Sequence, residues 1–464
     1  MAGDGWPTGA SPRPLRTLAR MPTVRPFRGL GYALDRFGGT TVPDRVRLPG
    51  EGESHPGRIA DLSDVACPPY DVIGPERQRE LLERDPHNAV RLELSSEDDP
   101  HAAAAQTLAR WQAEAVLARR ESPELYYYSH ARSDDPDDLA VQGVVAQVLL
   151  EPWGAGVRPH EHTMRGPKED RLALLRATDT QLSPILVLSF DRSERYRHVM
   201  SRGWSDEWRA RDDEGLLHQV VAIEPDERLL NYLSRQRLYV ADGHHRYETA
   251  LAYQAEVRAR PEHASAPEGS LGADWMMMVI VNAELEELEV QATHRLLQAD
   301  DGRRLAALLA TGLPHFSVEA VPAETIESRL EAAEGESALF GVILPDGAHL
   351  LSGLAGEVED RMRAERMSTA ARRLDLAALH AIVLRDGLGI GDEEVAAGRL
   401  AYTRSVDEAR ARVASGAAGA AILVRPTDLD QLAAVADASD VMPQKSTYFT
   451  PKLLTGMVFN PLTE

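Results

Sequence analysis

The sequence predicts a mixed α/β (α+β) protein. Three observations lead there. Apolar runs of strand length, such as residues 183–190 and Trp275–Asn282, are interleaved with stretches of helical period such as 245–258. The composition is that of a globular chain, 43% hydrophobic and 27% charged. The 464 residues are about three times a ~150-residue domain, which predicts two or three domains.

Taken in order, residues 1–24 are rich in Pro, Gly and Arg and lack an apolar core. They read as a disordered leader rather than a secretory signal, with Met21 a second candidate start. Residues 25–124 are expected to form an N-terminal α/β segment that packs on the core. Cys67-Pro68-Pro69-Tyr70-Asp71 cannot lie inside a helix, because consecutive prolines remove donors and fix the backbone. A helix over 75–84 starts with Pro75 in its first turn. Residues 88–94 read as a strand and the Ala-rich 101–120 as a helix.

The core is expected over 125–300. It opens with strands at 125–130 and 141–150, joined by the acidic loop 133–138. A polar run over 158–170 and a helical run around 171–176 lead into a buried strand over 183–190. Residues 195–235 read as mixed and largely helical. A strand over 238–241 enters Asp242-Gly243, followed by the helix 245–258, a loop over 261–272 and the continuous apolar strand Trp275–Asn282. Residues 301–464 read as a C-terminal α/β region with a Lys-containing tail returning to the site. Its Leu400–Thr403, Val406–Ala414, 420–424 and 429–436 alternate in a βαβ-like pattern.

Acidic residues outnumber basic ones by 73 to 51, for a net charge of −22. That excludes a broad grip on nucleic acid or anionic lipid. No run of about 18 apolar residues exists to span a membrane, and a soluble cytoplasmic protein is expected. A single cysteine, Cys67, excludes an intrachain disulfide framework and a Cys-based zinc site. Only Lys168, Lys445 and Lys452 are lysines; the other 48 basic residues are arginine. Such lysines survive by chance, or where a compact ammonium is needed rather than a fork of donors.

The sharpest candidate site is Ala241-Asp242-Gly243-His244-His245-Arg246-Tyr247-Glu248-Thr249. A strand ends, a glycine turn follows and a helix begins. The first backbone N–H groups of that helix point forward unpaired, with the positive end of its dipole behind them. Gly243 lets a ligand approach the backbone, Arg246 adds a planar fork suited to phosphate, and His244 and His245 add donors or proton relays. This is an anion pocket, or an Asp-Gly turn in which Asp242 caps a helix.

A second polar segment runs through Arg158-Pro159-His160-Glu161-His162-Thr163 to Lys168 and Arg171. It is either a solvated loop or a site. Glu161 is placed to take a proton from a substrate hydroxyl; His160 and His162 are alternatively a metal pair. A third, Met442-Pro443-Gln444-Lys445-Ser446-Thr447 onward to Lys452, lacks the glycines of a P-loop. It fits a segment laid over a phosphate by its lysines, or a polar turn. Pro68-Pro69-Tyr70-Asp71 and Asn88 read as packing, with a rigid aromatic turn lining a pocket as the alternative; Met276–Met278 and His380 read as core.

The stretches Arg25-Pro26-Phe27-Arg28, Pro68-Pro69-Tyr70-Asp71-Val72, Asp85-Pro86-His87-Asn88, Pro159-His160-Glu161-His162-Thr163, Gly166-Pro167-Lys168-Glu169-Asp170-Arg171, Ala241 to Ala250 and Met442 to Phe449 resemble a microbial family known only as domain of unknown function 1015. The resemblance runs from Arg25 over nearly the whole chain and implies no activity. Over roughly residues 125–300, Pro159-His160-Glu161, Ser183-Pro184-Ile185-Leu186-Val187 and Ala241 to Leu251 resemble free serine kinases of the ParB/sulfiredoxin-like fold. That resemblance implies a ParB/sulfiredoxin-like core with Glu161 as general base and His160 beside it. Asp242 would assist the base or hold Mg²⁺, and Gly243, His244, His245, Arg246 and Thr249 would cradle phosphates. Two features depart from it: the long insertion over 193–236, and the Lys168 and Lys445 segments.

These readings predict a nucleotide-dependent phosphotransferase for a small hydroxyl compound, a free hydroxy amino acid such as serine being the first guess. ATP or ADP is the expected donor, with Mg²⁺, and Lys168, Lys445, Ser446 and Thr447 are expected at the nucleotide. Two alternatives stand beside it. One is a nucleotide-binding switch of ParB-like type without turnover. The other is a metal-dependent hydrolase using His160, His162, His244 and His245. Nucleotide and substrate are the expected partners; no local pattern encodes the oligomeric state.

Overall fold

A computed structural model describes residues 21–38, 40–42, 57–131, 139–161, 165–192, 204–333 and 338–463. The chain is a mixed α/β protein. Residues 1–20 of the expected leader and the acidic loop 133–138 lie outside the described residues. No helix among the described residues is long and apolar enough to cross a membrane.

The frame is an eleven-stranded mixed sheet. Its main strands are β1 (Gly57–Asp61), β2 (Leu125–Ala131), β3 (Leu139–Leu149), β4 (Ile185–Ser189), β5 (Trp204–Arg211), β6 (Leu217–Ile223), β7 (Leu238–Asp242) and β8 (Trp275–Asn282). They lie in the order β1-β5-β6-β2-β3-β8-β4-β7. Every residue of β8 is buried. Met277, Val279 and Val281 enter one core while Met276, Met278 and Ile280 enter another on the opposite face. A strand covered on both faces needs a continuous apolar run, as β8 has. β4 runs parallel to β8 and antiparallel to β7, so the end of β7 lies beside the start of β4.

Four helices matter for the site: α1 (Pro75–Arg84), α2 (Pro100–Ala113), α3 (Arg165–Thr178) and α4 (His244–Arg258). α3 packs against both α2 and α4.

The C-terminal part builds a second, six-stranded sheet from β9 (His294–Leu297), β10 (Phe316–Val321), β11 (Leu339–Leu344), β12 (Gly347–Gly353), β13 (Leu400–Thr403) and β14 (Ala420–Leu423). Their order is β10-β12-β11-β14-β9-β13. The βαβ-like expectation holds with one change. β13 and β14 run the same way and are joined by the helix Val406–Ala414. They are not neighbours, however, because β9 lies between them, antiparallel to both.

The last twenty-odd residues run back across the main sheet. Asn460–Pro461 pairs with Thr180–Gln181. A chain of buried amides fixes it: Gln147 Nε2 donates to Asn460 Oδ1 (2.8 Å) and Asn460 Nδ2 to Gln181 Oε1 (3.0 Å). Phe459 is fully buried.

Three expected elements differ. Residues 88–94 contain the short helix Val90–Glu93 instead of a strand. Asn88 decides this: its Oδ1 accepts from Val90 N (3.0 Å) and its Nδ2 donates to Asp64 O (2.8 Å), a side-chain bond that turns the backbone. Within 195–235 the described residues form the antiparallel pair β5–β6, with a helix only at Glu227–Leu233. Trp208 and Ala210 point inward from β5 while Arg209 and Arg211 are more exposed. That period of two was hidden by the charged residues between. The helix expected over 101–120 ends at Ala113, followed by Ala115 at a positive φ of 52°.

Candidate active site

β7 ends at Asp242, and Gly243 caps the fifteen-residue α4 with φ of 101°. A Cβ at Gly243 would stand 2.4 Å from Ile185 Cγ2 on the neighbouring β4, so both conformation and space require glycine here. One turn on, Arg246 Nη1 donates to Ser183 Oγ (3.1 Å) and Pro184 O (2.6 Å), and Nη2 reaches Asp242 Oδ2 at 2.6 Å. The other Asp242 oxygen receives the Lys452 ammonium from the returning tail. Burial opposes the Asp242 charge, but Lys452 and Arg246 together drive its pKa well below the usual carboxylate range. Burial would likewise lower the Lys452 pKa; Asp242 and Asp71 reverse it, and it ends above the ordinary value.

Glu161 stands opposite. Its backbone bridges to Met442, whose N–H donates to His160 O (2.7 Å), so the 442–447 turn is strapped beside it. The Lys445 backbone N–H lies near the Glu161 carboxylate and lowers its pKa. Lys445 sits in the left-handed region, at φ of 56°. Burial raises the Glu161 pKa, and Lys445 only partly offsets that. A carboxylate raised in this way is a stronger base near neutral pH.

His160 and His244 form a neutral pair behind Glu161. His160 Nδ1 donates to Val240 O (2.5 Å), and its Nε2 accepts from Thr447 Oγ1 (2.9 Å). The His160 N–H donates to His244 Nε2 (3.2 Å). Burial lowers the His160 pKa to about 4 and holds His244 well below its ordinary value. Both ring nitrogens of His160 are engaged in these bonds. The same bonds occupy the two ring nitrogens of His160 and Nε2 of His244 that a metal would need. His162 lies outside the described residues.

Toward the surface, burial and then Lys445 lower the His245 pKa, with Lys168 adding to the effect. Both lysines therefore stand near this first-turn histidine. Lys168 Nζ also reaches Glu248 Oε2 at 2.7 Å. The exposed Asp71 acts on Arg246 and Lys452 across the mouth. The Ser446 hydroxyl donates to Pro443 O (2.5 Å) and that of Thr447 to His160; these two build the turn. Thr249 lines a cavity of about 50 Å³ together with Arg246, Arg171, Ser183 and Glu93. That is room for one or two waters, not for a nucleotide.

Two residues at the site, Arg295 and Tyr402, carry no local signal in the sequence, whereas Tyr70 belongs to the Pro-Pro-Tyr-Asp turn singled out above. Arg295 on β9 donates to Gln444 O (3.4 Å) and Lys445 O (3.2 Å). Tyr402 on β13 pairs with it. Tyr70 lies 4.3 Å under the Arg171 guanidinium. Lys452 had one signal, the rarity of lysine.

Chemically, the site sets a poised carboxylate against a helix N-terminus, two buried cations and two lysines at the mouth. Among the described residues, no group of three or more His, Cys, Asp or Glu side chains could hold a metal ion, and both Asp242 oxygens are occupied. The residues do not fit a Mg²⁺ ion caged by the protein.

The family model described as protein of unknown function (DUF1015) matches residues 49–377. No curated protein matches the chain. Among solved structures, it is similar to a conserved hypothetical protein from Pyrococcus furiosus, at 15% identity and a TM-score of 0.35, over 67% of this chain and 92% of that one. It is similar to a free serine kinase in complex with AMP, at 14% identity and a TM-score of 0.38, over 66% and 87%. It is also similar to C-terminally truncated SbnI from Staphylococcus aureus, at 12% identity and a TM-score of 0.34, over 67% and 85%.

Proposed function

The chain belongs to the DUF1015 family of proteins of unknown function, and from that premise we propose that it is a nucleotide-dependent phosphotransferase acting on a small hydroxyl compound. One observation carries the reading: the Glu161 carboxylate, beside the Lys445 N–H, shares a buried cluster with Asp242, Lys452 and Arg246 at the N-terminus of α4. Phosphoryl transfer requires little covalent chemistry of the protein. It requires positioning, charge neutralisation and a proton acceptor.

Each part has a residue. The first-turn N–H groups of α4, with Arg246, Lys452 and Lys445, neutralise the phosphates of the donor, ATP or ADP. Cations gather here in a chain whose total charge is −22. Glu161 takes the proton of the acceptor hydroxyl as its oxygen bonds to phosphorus and the bond to the departing nucleotide breaks. His160 and His244 hold the Glu161 backbone and stay neutral. Lys168 completes the mouth. Any Mg²⁺ would arrive on the phosphates, where it needs only one or two carboxylates from the protein.

The experiment is phosphate transfer from ATP and from ADP to a panel of small hydroxyl compounds, comparing the wild type with Glu161→Gln. Loss of a general base lowers turnover by about 10²–10⁴, while nucleotide affinity by calorimetry should stay within about threefold. Unchanged turnover in Glu161→Gln removes the base assignment. Nucleotide binding without transfer to any acceptor makes the protein a nucleotide-binding switch.

A further inference from the structure

Arg295 is fully buried, and its polar contacts are unlike those of the other buried arginines near the site. Arg171 has Glu93 (2.9 Å) and Asp170 (2.5 Å) as partners, and Arg246 has Asp242. Arg295 has no carboxylate within ion-pair distance among the described residues. Among the described residues it donates only to the backbone carbonyls of Thr293, Gln444 and Lys445. Carbonyl dipoles solvate a guanidinium but do not neutralise it, and a cation buried without an anion is costly to maintain. Its Nε has no partner, nor have the buried hydroxyls of Tyr402 and Thr293 or Nε2 of His380. The guanidinium stands 5.7 Å from the centre of the Tyr402 ring, its register partner across β9 and β13.

This unpaired cation lies next to the reacting carboxylate. The Glu161 carboxylate lies near the N–H of Lys445 while Arg295 donates to the C=O of the same residue. The two side chains flank one residue, so little more than that residue's backbone separates them. Glu161 also acts electrostatically on both Arg295 and Tyr402.

We propose that Arg295 and Tyr402, delivered by the C-terminal sheet, form a subsite for a carboxylate on the phosphoryl acceptor, which makes the acceptor a short hydroxy acid instead of a neutral alcohol. The proposal rests on the phosphotransferase reading of the same site. The carboxylate neutralises Arg295 through its free Nε edge and accepts from the Tyr402 hydroxyl. A hydroxyl two or three bonds away then falls at Glu161.

The test is binding calorimetry on the full chain, with a non-hydrolysable ATP analogue present. Two probe pairs keep the hydroxyl and change the charge: L-serine against L-serinamide, and glycerate against glycerol. At least one carboxylate probe should bind about tenfold or more tightly than its carboxylate-free partner, the range of a charge-assisted hydrogen bond. Arg295→Gln should reduce that preference to about twofold, Tyr402→Phe should reduce it partway, and analogue affinity should hold within about twofold in both. Tyr402→Phe keeps the ring on an otherwise unchanged strand, so it reports even if Arg295→Gln folds poorly. Equal binding within each pair, or no binding by any probe, overturns the subsite. So does an Arg295→Gln loss that falls equally on charged probes, neutral probes and the analogue, because that describes only a pin for the 444–445 turn. Phosphate transfer run beside it separates the two readings. Transfer to neutral alcohols without a carboxylate preference keeps the phosphotransferase and removes the subsite. Arg295-dependent carboxylate binding without transfer does the reverse.

Discussion

Lys452 and Asp242 are ion-paired across 210 residues of chain, and the pair fixes the returning tail to the N-terminus of α4. Both side chains are largely buried, at 13% and 19% exposure. Removing one partner of a buried pair leaves an uncompensated charge, at a cost of about 3–5 kcal/mol. Arg246 still holds Asp242, so Lys452→Met should sit at the lower end of that range in urea unfolding. Adding Asp242→Asn should recover part of the loss, because the orphaned charge goes with it. A double variant no more stable than Lys452→Met would show that packing of the lysine stem, not the pair, carries the effect.

Gly243→Ala tests the turn that aims the α4 N–H groups. The φ of 101° costs an alanine about 1–2 kcal/mol, and the 2.4 Å approach to Ile185 Cγ2 adds an overpacking penalty of about 1–3 kcal/mol. The thermal midpoint and nucleotide affinity should fall together. A variant with wild-type affinity would mean that the backbone at this turn does not touch the phosphates.

Acid should destabilise the protein above the range where carboxylates protonate. Burial lowers His160 and His294 to about 4 and His380 to about 3. A histidine with a lowered folded pKa is neutral in the native state while its unfolded form takes a proton. Its stabilisation is therefore complete above about 6.5 and is lost as the pH falls toward 4. For His160 alone this is on the order of 3 kcal/mol. Glu161 acts with the opposite sign, since its raised pKa favours the native state as acid is added. Thermal midpoints from pH 8 to pH 5 should fall, and fall less in His160→Gln, whose amide can still donate to Val240 O. Parallel curves for the two proteins would remove His160 from the effect.

Local chemistry made parts of this molecule legible. β8 occupies Trp275–Asn282 as read, because an unbroken apolar run fits only a strand covered on both faces. α1 begins at Pro75 as read, because proline suits a first turn. The three polar segments were visible for the same reason: ionisable groups crowd between apolar strands. What escaped depends on distant pairing. The β5–β6 hairpin is set by partners on β1 and β2, which its charged sequence does not announce. Arg295 and Tyr402 meet only through the register of β9 on β13, and Lys452 finds Asp242 only because buried amides around Asn460 fix the tail. Asn88 overrode a strand-like sequence with its own side chain.

Lys445 combines a backbone role and a side-chain role that one substitution can separate. It sits at φ of 56°, where a non-glycine residue is strained by about 1–2 kcal/mol. Its N–H nevertheless lies near the Glu161 carboxylate and its C=O accepts from Arg295. Glycine adopts this conformation without strain, keeps both backbone groups in place and deletes only the ammonium. Part of the relief is offset by the greater freedom of glycine in the unfolded chain. Lys445→Gly should therefore leave the thermal midpoint unchanged or slightly raised. Nucleotide affinity should drop by about tenfold, as expected for one lost charge-assisted contact, and more steeply at low salt, where the missing ammonium is least screened. Calorimetry at two ionic strengths reads this directly. If affinity is unchanged at both, the Lys445 ammonium does not reach the phosphates and the residue serves only to hold Glu161.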